Sequence, residues 1–173
     1  MIGYTGISGW KTLDEEMRNG VRELPGLSTK YPSKEVLVGA DANFFFASWN
    51  YDMKVGGEVT SETLAPFGIK VFELTESCSH VIERNKSSID DMYAYIINLG
   101  AIVNVEEKAT SLADKYKTDL AALTPSVEND KSLRVFVCDS SQGSPFTAGR
   151  YAMPKALIEA AGGQNIMDDF EKS

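Results

Sequence analysis

The sequence is poor in the residue types and long apolar runs that characterise several classes of protein. It contains one histidine and two cysteines among 173 residues, so it lacks the His and Cys sets typical of zinc sites. Its longest apolar run, around residues 42–49, is far shorter than the about 20 residues that a membrane span needs. Basic residues are also in deficit. Lys and Arg total 17 against 25 Asp and Glu, a formal charge of −8, and this balance disfavours binding to nucleic acid.

Common enzyme motifs are absent as well. The sequence contains no G-x-S-x-G elbow, Walker A motif or G-x-G-x-x-G fingerprint. Cys78 and His80 are two residues apart, so they point to different sides of a strand or a helix and make a poor thiol–imidazole pair. Glu76, Cys78 and His80 are nevertheless metal-ligand types, so a small α/β enzyme or metal-handling protein stays an alternative. Cys78 and Cys138 are expected to be free thiols, with a single disulfide between them as the other option.

The chain does show alternation of helix and strand. Three short apolar runs predict buried parallel strands, at Asn43–Trp49, Ile69–Leu74 and Leu133–Cys138. Ser33 predicts the N-cap of a helix that runs through Gly39, and Thr60 predicts the N-cap of a helix from Ser61 to Phe67, ended by Gly68. Alternation of this kind indicates βαβ units and a parallel sheet.

The middle of the chain is helical. One helical pattern begins near Ile89, and Asn104 is interpreted as a break and a new N-cap, with Glu107 three residues later. The second helix is predicted to end before Pro125 and to bury one face, formed by Val105, Ala109, Leu112, Tyr116, Leu120 and Leu123. A polar linker follows. This organisation predicts part of a first α/β lobe in residues 1–86, a helical segment in 87–124 and the beginning of a second lobe in 133–173.

Polar and aromatic side chains follow all three predicted strands. They lie in residues 49–53, 75–80 and 139–150. In parallel sheets, ligands bind at the carboxyl ends of the strands, so these three loops are candidate binding loops. Loops from strand to helix are polar in proteins of many functions, so this signal alone does not identify a ligand.

Three segments resemble one known family. Glu35–Phe46, Leu64–Val71 and the Gly-Gly-Gln-Asn-Ile sequence of Gly162–Ile166 occur in the order seen in substrate-binding proteins of ABC importers for ferric siderophores, haem and cobalamin. One departure is Ala42-Asn43, where many members have a Pro-Asp pair. The resemblance implies Rossmann-like parallel-sheet lobes joined by a long helical spine, of the class III periplasmic-binding-protein type. It places the inter-lobe helix at Val105–Leu123.

The same resemblance implies a piece of a longer protein, truncated at both ends. It implies an extracytoplasmic location, in the periplasm or as a cell-surface lipoprotein, although no signal segment is visible at Met1. A third possibility follows from truncation: the chain alone would then be an incomplete fold that binds nothing and self-associates through open sheet edges.

The resemblance also assigns roles to individual residues. Glu35 and Glu159 match the carboxylates with which each lobe docks into arginine pockets of the membrane permease. The pocket between the lobes would take a small-molecule metal complex: a ferric chelate, haem or cobalamin. The candidate ligand-binding residues are Trp49, Tyr51 and Glu76 from the first lobe and Phe146, Thr147 and Arg150 from the second. No catalytic residue, resident metal or cofactor is implied. From the residues alone, Glu35 could simply favour a helix dipole, Phe146 could pack under its loop, and Arg150 could pair with Asp139 or Asp168.

Overall fold

The computed structural model describes residues 1–6, 15–47, 57–74, 86–123, 132–139, 143 and 145–170. The chain divides into two compact units, Met1–Val81 and Ile82–Ser173. No helix in the described ranges is long and apolar enough to cross a membrane. The predicted division into 1–86, 87–124 and 133–173 stays a prediction.

The first unit alternates strands and helices. Its elements are β1 (Tyr4–Thr5), α1 (Glu15–Arg22), β2 (Gly26–Ser28), α2 (Lys34–Gly39), β3 (Phe44–Ala47), α3 (Ser61–Leu64) and β4 (Lys70–Glu73). β1 pairs with β2 and β3 pairs with β4, both in parallel. The β3–β4 register runs from Phe44 opposite Lys70 to Ala47 opposite Glu73. The predicted alternation and the parallel pairing of the first two predicted strands are therefore confirmed.

The core of the first unit lies under this strand pair. It contains Leu37 from α2, Phe45 and Ala47 from β3, Leu64 from α3, and Ala42, Val59 and Ile69 from the connecting segments. On the opposite face of β3, Phe46 is 40% exposed and its ring lies 5.9 Å from that of Phe72 on β4. β3 therefore alternates between a buried and a more open face, whereas its continuous apolar sequence predicted burial on both faces.

The caps predicted for α2 and α3 are confirmed. The Ser33 hydroxyl accepts a hydrogen bond from the Val36 N–H at 3.4 Å. Thr60 and Thr63 form a reciprocal capping box at the start of α3. A 3-10 turn at Ala65–Phe67 extends α3 up to Gly68, whose φ of 75° is the left-handed conformation that glycine adopts at least cost.

The second unit begins with two helices and ends with a small parallel strand pair. Its elements are α4 (Ile89–Ile102), α5 (Glu106–Ala121), β5 (Arg134–Val135), α6 (Met153–Ala160) and β6 (Gln164–Asn165). Ser88 and Asp91 form a capping box on α4. β5 pairs with β6 in parallel, Arg134 opposite Gln164 and Val135 opposite Asn165. The predicted strand Leu133–Cys138 is thus confirmed in a shorter form.

The connection between α4 and α5 corrects the role predicted for Asn104. Asn104 has φ 61° and ends α4 rather than capping α5. Its N–H donates to the Ala101 carbonyl at 3.3 Å, and the Val105 N–H donates to the Gly100 carbonyl at 2.8 Å. This is the Schellman pattern, in which Asn is the usual substitute for glycine. Val105 is the N-cap of α5, and no side-chain hydrogen bond caps that helix.

The buried face of α5 is also narrower than predicted. Ala109 and Ala113 are buried, and Ala109 lies so near α4 that a Cβ built on Gly100 would be 2.2 Å from its Cβ. The larger side chains of the predicted face, Leu112 and Tyr116, stay about two-fifths exposed, at 39% and 41%. Small residues fix the close approach of α4 and α5. The assignment of α5 as an inter-lobe helix stays a prediction.

Candidate functional site

The structure describes some of the predicted site residues and not others. Trp49, Tyr51 and Glu76 lie outside the described residues, as do Cys78 and His80 of the alternative hypothesis. Phe146, Thr147 and Arg150 lie in the loop between β5 and α6. Glu35 lies on α2 and Glu159 on α6. In the part of the chain that is described, no group of three or more His, Cys, Asp or Glu residues is placed to hold a metal ion.

Three hydrogen bonds, one from within the loop and two from other segments, hold the part of the β5–α6 loop that carries Phe146, Thr147 and Arg150. The Asp139 N–H donates to the Phe146 carbonyl at 3.0 Å. The Asn165 side-chain amide donates to the Ala148 carbonyl at 3.0 Å, and the Ser87 hydroxyl donates to the Tyr151 carbonyl at 2.6 Å. The acceptor of each bond is a backbone carbonyl. The path of the loop is therefore set by Asp139 earlier in the same loop, by Asn165 of β6 and by Ser87, which precedes the N-cap of α4.

Within this loop, Phe146 and Thr147 differ in accessibility. The Phe146 side chain is 51% exposed, so its ring can meet a ligand without any rearrangement of the core. The Thr147 hydroxyl oxygen is buried and has no hydrogen-bond partner among the described residues. A buried hydroxyl without a partner costs free energy, and a bound ligand with a polar group is one way to satisfy it.

Arg150 ties the loop to the segment after β6. Its Nε donates to the Asp168 carbonyl at 2.9 Å, and its Nη2 lies 3.7 Å from the Asp169 carboxylate. Its backbone N–H donates to the Phe170 carbonyl at 3.1 Å. Arg150 thus bonds to Asp168 through the backbone carbonyl of that residue, and it forms an ion pair with the Asp169 carboxylate. The side chain keeps 28% of its surface exposed.

The Gly-Gly-Gln-Asn segment has a structural role that sequence reasoning missed. Gly162, with φ 80°, ends α6 by the same Schellman pattern that ends α4. A Cβ on Gly163 would lie 3.0 Å from Ile158 and 3.3 Å from Val135, so glycine lets the chain pass close to both. Asn165 is 3% exposed, and its Oδ1 also accepts from the Met167 N–H at 3.1 Å. The segment therefore joins α6 to β6 and anchors the candidate loop through Asn165.

Glu35 is an exposed carboxylate in the first turn of α2. A hydrogen bond from its own backbone N–H, and then one from the Ser33 side chain, hold its pKa below the ordinary 4.5. The ionised form is therefore favoured, in agreement with the helix-dipole role that the sequence indicated. The same ionised, exposed group is what an electrostatic docking contact requires.

Glu159 lies near the end of α6 and has a different environment. Its side chain is 54% exposed, and Lys155 Nζ donates a hydrogen bond to its Oε1. The Lys155 side chain is only 3% exposed and also lies 3.5 Å from the Asp168 carboxylate. Sequence reasoning missed Lys155. The signal that could have found it is the spacing of four residues between a lysine and Glu159 inside an otherwise apolar helical segment.

No protein-family model and no curated protein matches this sequence. Solved structures do match its fold. A periplasmic binding protein from Veillonella parvula has a TM-score of 0.76 and 19% identity, over 100% of this chain and 55% of that one. An ABC-type Fe3+-hydroxamate transport system structure from Saccharomonospora viridis has a TM-score of 0.79 and 20% identity, over 99% of this chain and 58% of that one. The periplasmic haem-binding protein RhuT from Roseiflexus has a TM-score of 0.62 and 15% identity, over 99% and 59%.

These matches define the fold class. The chain has the fold of class III periplasmic binding proteins, with parallel strand pairs and helices, and it spans between 55% and 59% of the length of these three structures. By their names, the three neighbours are a periplasmic binding protein, an ABC-type Fe3+-hydroxamate transport system and a periplasmic haem-binding protein, which is the group that the sequence resembles. The predicted fold class is therefore confirmed.

Proposed function

We propose that this chain is the solute-binding component of an ABC importer. It would capture a chelated-iron solute outside the cytoplasm and deliver it to a permease in the membrane, without making or breaking a covalent bond. The observation that carries this proposal is the match of 99–100% of the chain to a periplasmic binding protein and to an ABC-type Fe3+-hydroxamate transport structure, with TM-scores of 0.76 and 0.79. The names of these two structures support a role in solute binding and transport. The proposed location is the periplasm or, as a lipoprotein, the cell surface.

A ferric siderophore is the proposed solute, with haem and cobalamin as the other candidates. An Fe3+-hydroxamate system is among the structures that share the fold, which favours the siderophore class. The exposed Phe146 ring suits the partly apolar surface of a metal chelate, as would Trp49 and Tyr51. Arg150 offers a permanent positive charge to the hydroxamate or carboxylate oxygens of a chelate, and it already contacts the Asp168 carbonyl and the Asp169 carboxylate. Glu76 and Thr147 complete the proposed set of ligand-binding residues.

The proposed contacts with the permease are Glu35 and Glu159. Both carboxylates are exposed and lie on helices of different units. Exposed carboxylates at two separate points can orient a protein against arginine side chains and raise the rate of association. The low pKa of Glu35 keeps that carboxylate charged across the neutral range.

Tryptophan fluorescence tests the solute proposal. The chain has two tryptophans, Trp10 and Trp49, and only Trp49 belongs to the proposed site. Titration with ferrichrome, haemin and cyanocobalamin is expected to give saturable quenching with one of the three. Trp49→Phe should remove that quenching, and Trp10→Phe is the matched control that should keep it. Equal quenching in the two variants would contradict the proposed place of the ligand.

The alternative hypothesis of an enzyme or a metal-handling protein uses Glu76, Cys78 and His80, for which the structure describes no contacts. His80→Ala separates the two hypotheses. Under our proposal, the affinity for the solute stays within about twofold of the wild-type value, because a single substitution outside the site changes little. Loss of stoichiometric metal binding or of turnover in this variant would favour the alternative.

A further inference from the structure

The parallel strand pair β3–β4 has one face that the proposed function has not used. Phe44 pairs with Lys70 in the register, and Phe46 pairs with Phe72. Because side chains alternate along a strand, these four residues share one face of the pair, while Phe45 points to the core on the other. We call Phe44, Phe46, Lys70 and Phe72 the open face.

The open face is apolar and reaches solvent. Phe46 is 40% exposed, Phe44 and Phe72 are half-buried, and Lys70 is exposed beside them. The rings of Phe46 and Phe72 lie 5.9 Å apart, so they form one apolar surface across the two strands. Parallel sheets are normally covered on both faces, because their strands are apolar on both. The open face therefore lacks a layer that a sheet of this kind requires.

The described helices of the first unit do not supply this layer. α2 and α3 contribute Leu37 and Leu64 to the core, which lies on the opposite face of the strand pair. α1 buries none of its residues, so it packs closely on no face. A helix from outside the described part of this unit is needed to cover the open face.

The dimensions of the open face suit a single helix. Each strand contributes four residues, which span about 13 Å, and two paired strands are about 10 Å wide. An α-helix with its side chains is about 10–12 Å across, and about 13 Å corresponds to between two and three of its turns. The same face on a second copy of the chain fits less well. A patch of this size is far below the about 800 Å² per partner of a stable interface, and a net charge of −8 opposes self-association.

The comparison structures indicate where such a helix comes from. The chain spans 55% and 58% of the two structures that it matches with the highest TM-scores given above, so more than two-fifths of each lies outside the match. The second unit repeats the feature, since Phe136 and Ile166, which follow the paired Val135 and Asn165, are 44% and 43% exposed. Both strand pairs are thus uncovered on one side in a chain that spans little more than half of its fold class.

We propose that the open face is the docking surface of one amphipathic α-helix from the part of the class III fold that lies outside these 173 residues. The apolar side of that helix packs on Phe44, Phe46 and Phe72, and a carboxylate at its rim pairs with Lys70. This inference rests on the fold and not on the solute or the permease. Its failure would leave the proposed function unaffected.

Titration of the 15N-labelled chain with a synthetic helix tests the proposal. The probe is a peptide of about 18 residues with leucines along one helical face and glutamates on the other. It is acidic, so general attraction to a chain of charge −8 cannot explain its binding. We expect saturable amide shifts confined to β3 and β4, with a dissociation constant of about 1 mM or tighter. A scrambled peptide of the same composition, which has no apolar face, should give none.

Two pairs of variants locate the binding surface. Phe46→Asp is expected to weaken peptide binding about tenfold, whereas Phe67→Asp, at an exposed ring on the 3-10 turn, should leave it unchanged. Lys70→Glu should weaken it about threefold, and Lys108→Glu, the same charge change at an exposed position on α5, should not. The lysine pair serves if Phe46→Asp does not fold, because both lysines are exposed.

Three results would overturn the proposal. The first is no saturable shift on β3 and β4, or equal shifts with the scrambled peptide. The second is equal weakening by Lys70→Glu and Lys108→Glu, which would show only a general charge effect. The third is sedimentation equilibrium that gives a dimer for the wild type and a monomer for Phe46→Asp, because the occupant of the open face would then be a second copy of this chain.

Discussion

At the residue scale, buried polar groups determine how the candidate loop is held. Asn165 is the clearest case, because its amide donates to the Ala148 carbonyl and accepts from the Met167 N–H. One side chain therefore fixes both the loop that carries Phe146 and Arg150 and the turn that follows β6. Asn165 belongs to the Gly-Gly-Gln-Asn segment, which is part of the family resemblance in sequence. Its two hydrogen bonds give a physical reason for an asparagine at this position.

Asn165→Ala is expected to destabilise the protein by about 1–3 kcal/mol, because the partly buried Ala148 carbonyl and Met167 N–H lose their partner. Urea unfolding monitored by circular dichroism measures this change. The neighbouring Gln164, which is exposed, provides the control Gln164→Ala. Equal effects of the two substitutions would show that the Asn165 hydrogen bonds contribute nothing to stability.

Glu35 leads to a prediction about pH. Its pKa in the folded protein lies below the ordinary 4.5, so the unfolded chain binds this proton more readily than the folded one. Glu35 therefore contributes stability above pH 4.5, and that contribution is lost as the pH falls through its folded pKa. Ser33→Ala removes one of the two main causes and should move the Glu35 pKa, measured by carboxyl 13C NMR, towards 4.5. An unchanged pKa in Ser33→Ala would contradict the assigned cause.

At the element scale, one way of ending helices recurs. A residue with positive φ follows each of four helices. It is Asp41 after α2, Gly68 after the 3-10 extension of α3, Asn104 after α4 and Gly162 after α6. After Asp41 the Ala42 N–H donates to the Leu37 carbonyl at 3.2 Å, and after Gly162 the Gly163 N–H donates to the Ile158 carbonyl at 2.8 Å. The three helix ends that lead into a strand and the one between α4 and α5 thus share one hydrogen-bond pattern.

Gly100 tests the packing of α4 against α5. Gly100→Ala would place a Cβ only 2.2 Å from the Ala109 Cβ, so the two helices must separate, which is expected to cost about 1–3 kcal/mol of stability. Gly39→Ala is the matched control, since a Cβ at that position would meet no atom within 4 Å and alanine favours a helix by about 0.5–1 kcal/mol. Urea unfolding should therefore give opposite signs for the two glycines. A stabilising Gly100→Ala would contradict the close helix contact.

A local sequence pattern predicted an element correctly where the pattern is compatible with a single local structure. Ser33 and Thr60 are caps in the structure as in the sequence, because a hydroxyl before an apolar periodic run rarely has another role. Asn104 was misinterpreted, because asparagine suits both an N-cap and a left-handed helix end, and only the hydrogen bonds of α4 decide between them. β6 could not be predicted, because a strand of two polar residues carries no hydrophobic pattern.

At the scale of the whole molecule, the sequence predicts the fold more completely than it predicts the site. Two units of parallel strand pairs and helices agree with solved binding-protein structures over almost all of this chain. Half of the predicted ligand residues lie in the described loop between β5 and α6, where the positions of Phe146, Thr147 and Arg150 depend on hydrogen bonds from distant segments. Contacts of that kind, such as Asn165 with Ala148 and Ser87 with Tyr151, leave no local pattern in the sequence.

Calorimetric titration of the 173-residue chain with ferrichrome tests the central claim most directly. A solute-binding protein for ferric chelates is expected to bind one ferrichrome per chain with a dissociation constant of about 1 µM or tighter, equivalent to about −8 kcal/mol. Iron-free ferrichrome is the control and should bind more weakly, since the proposed site recognises the metal chelate. Absence of binding heat with ferrichrome, haemin and cyanocobalamin alike would contradict the proposed function.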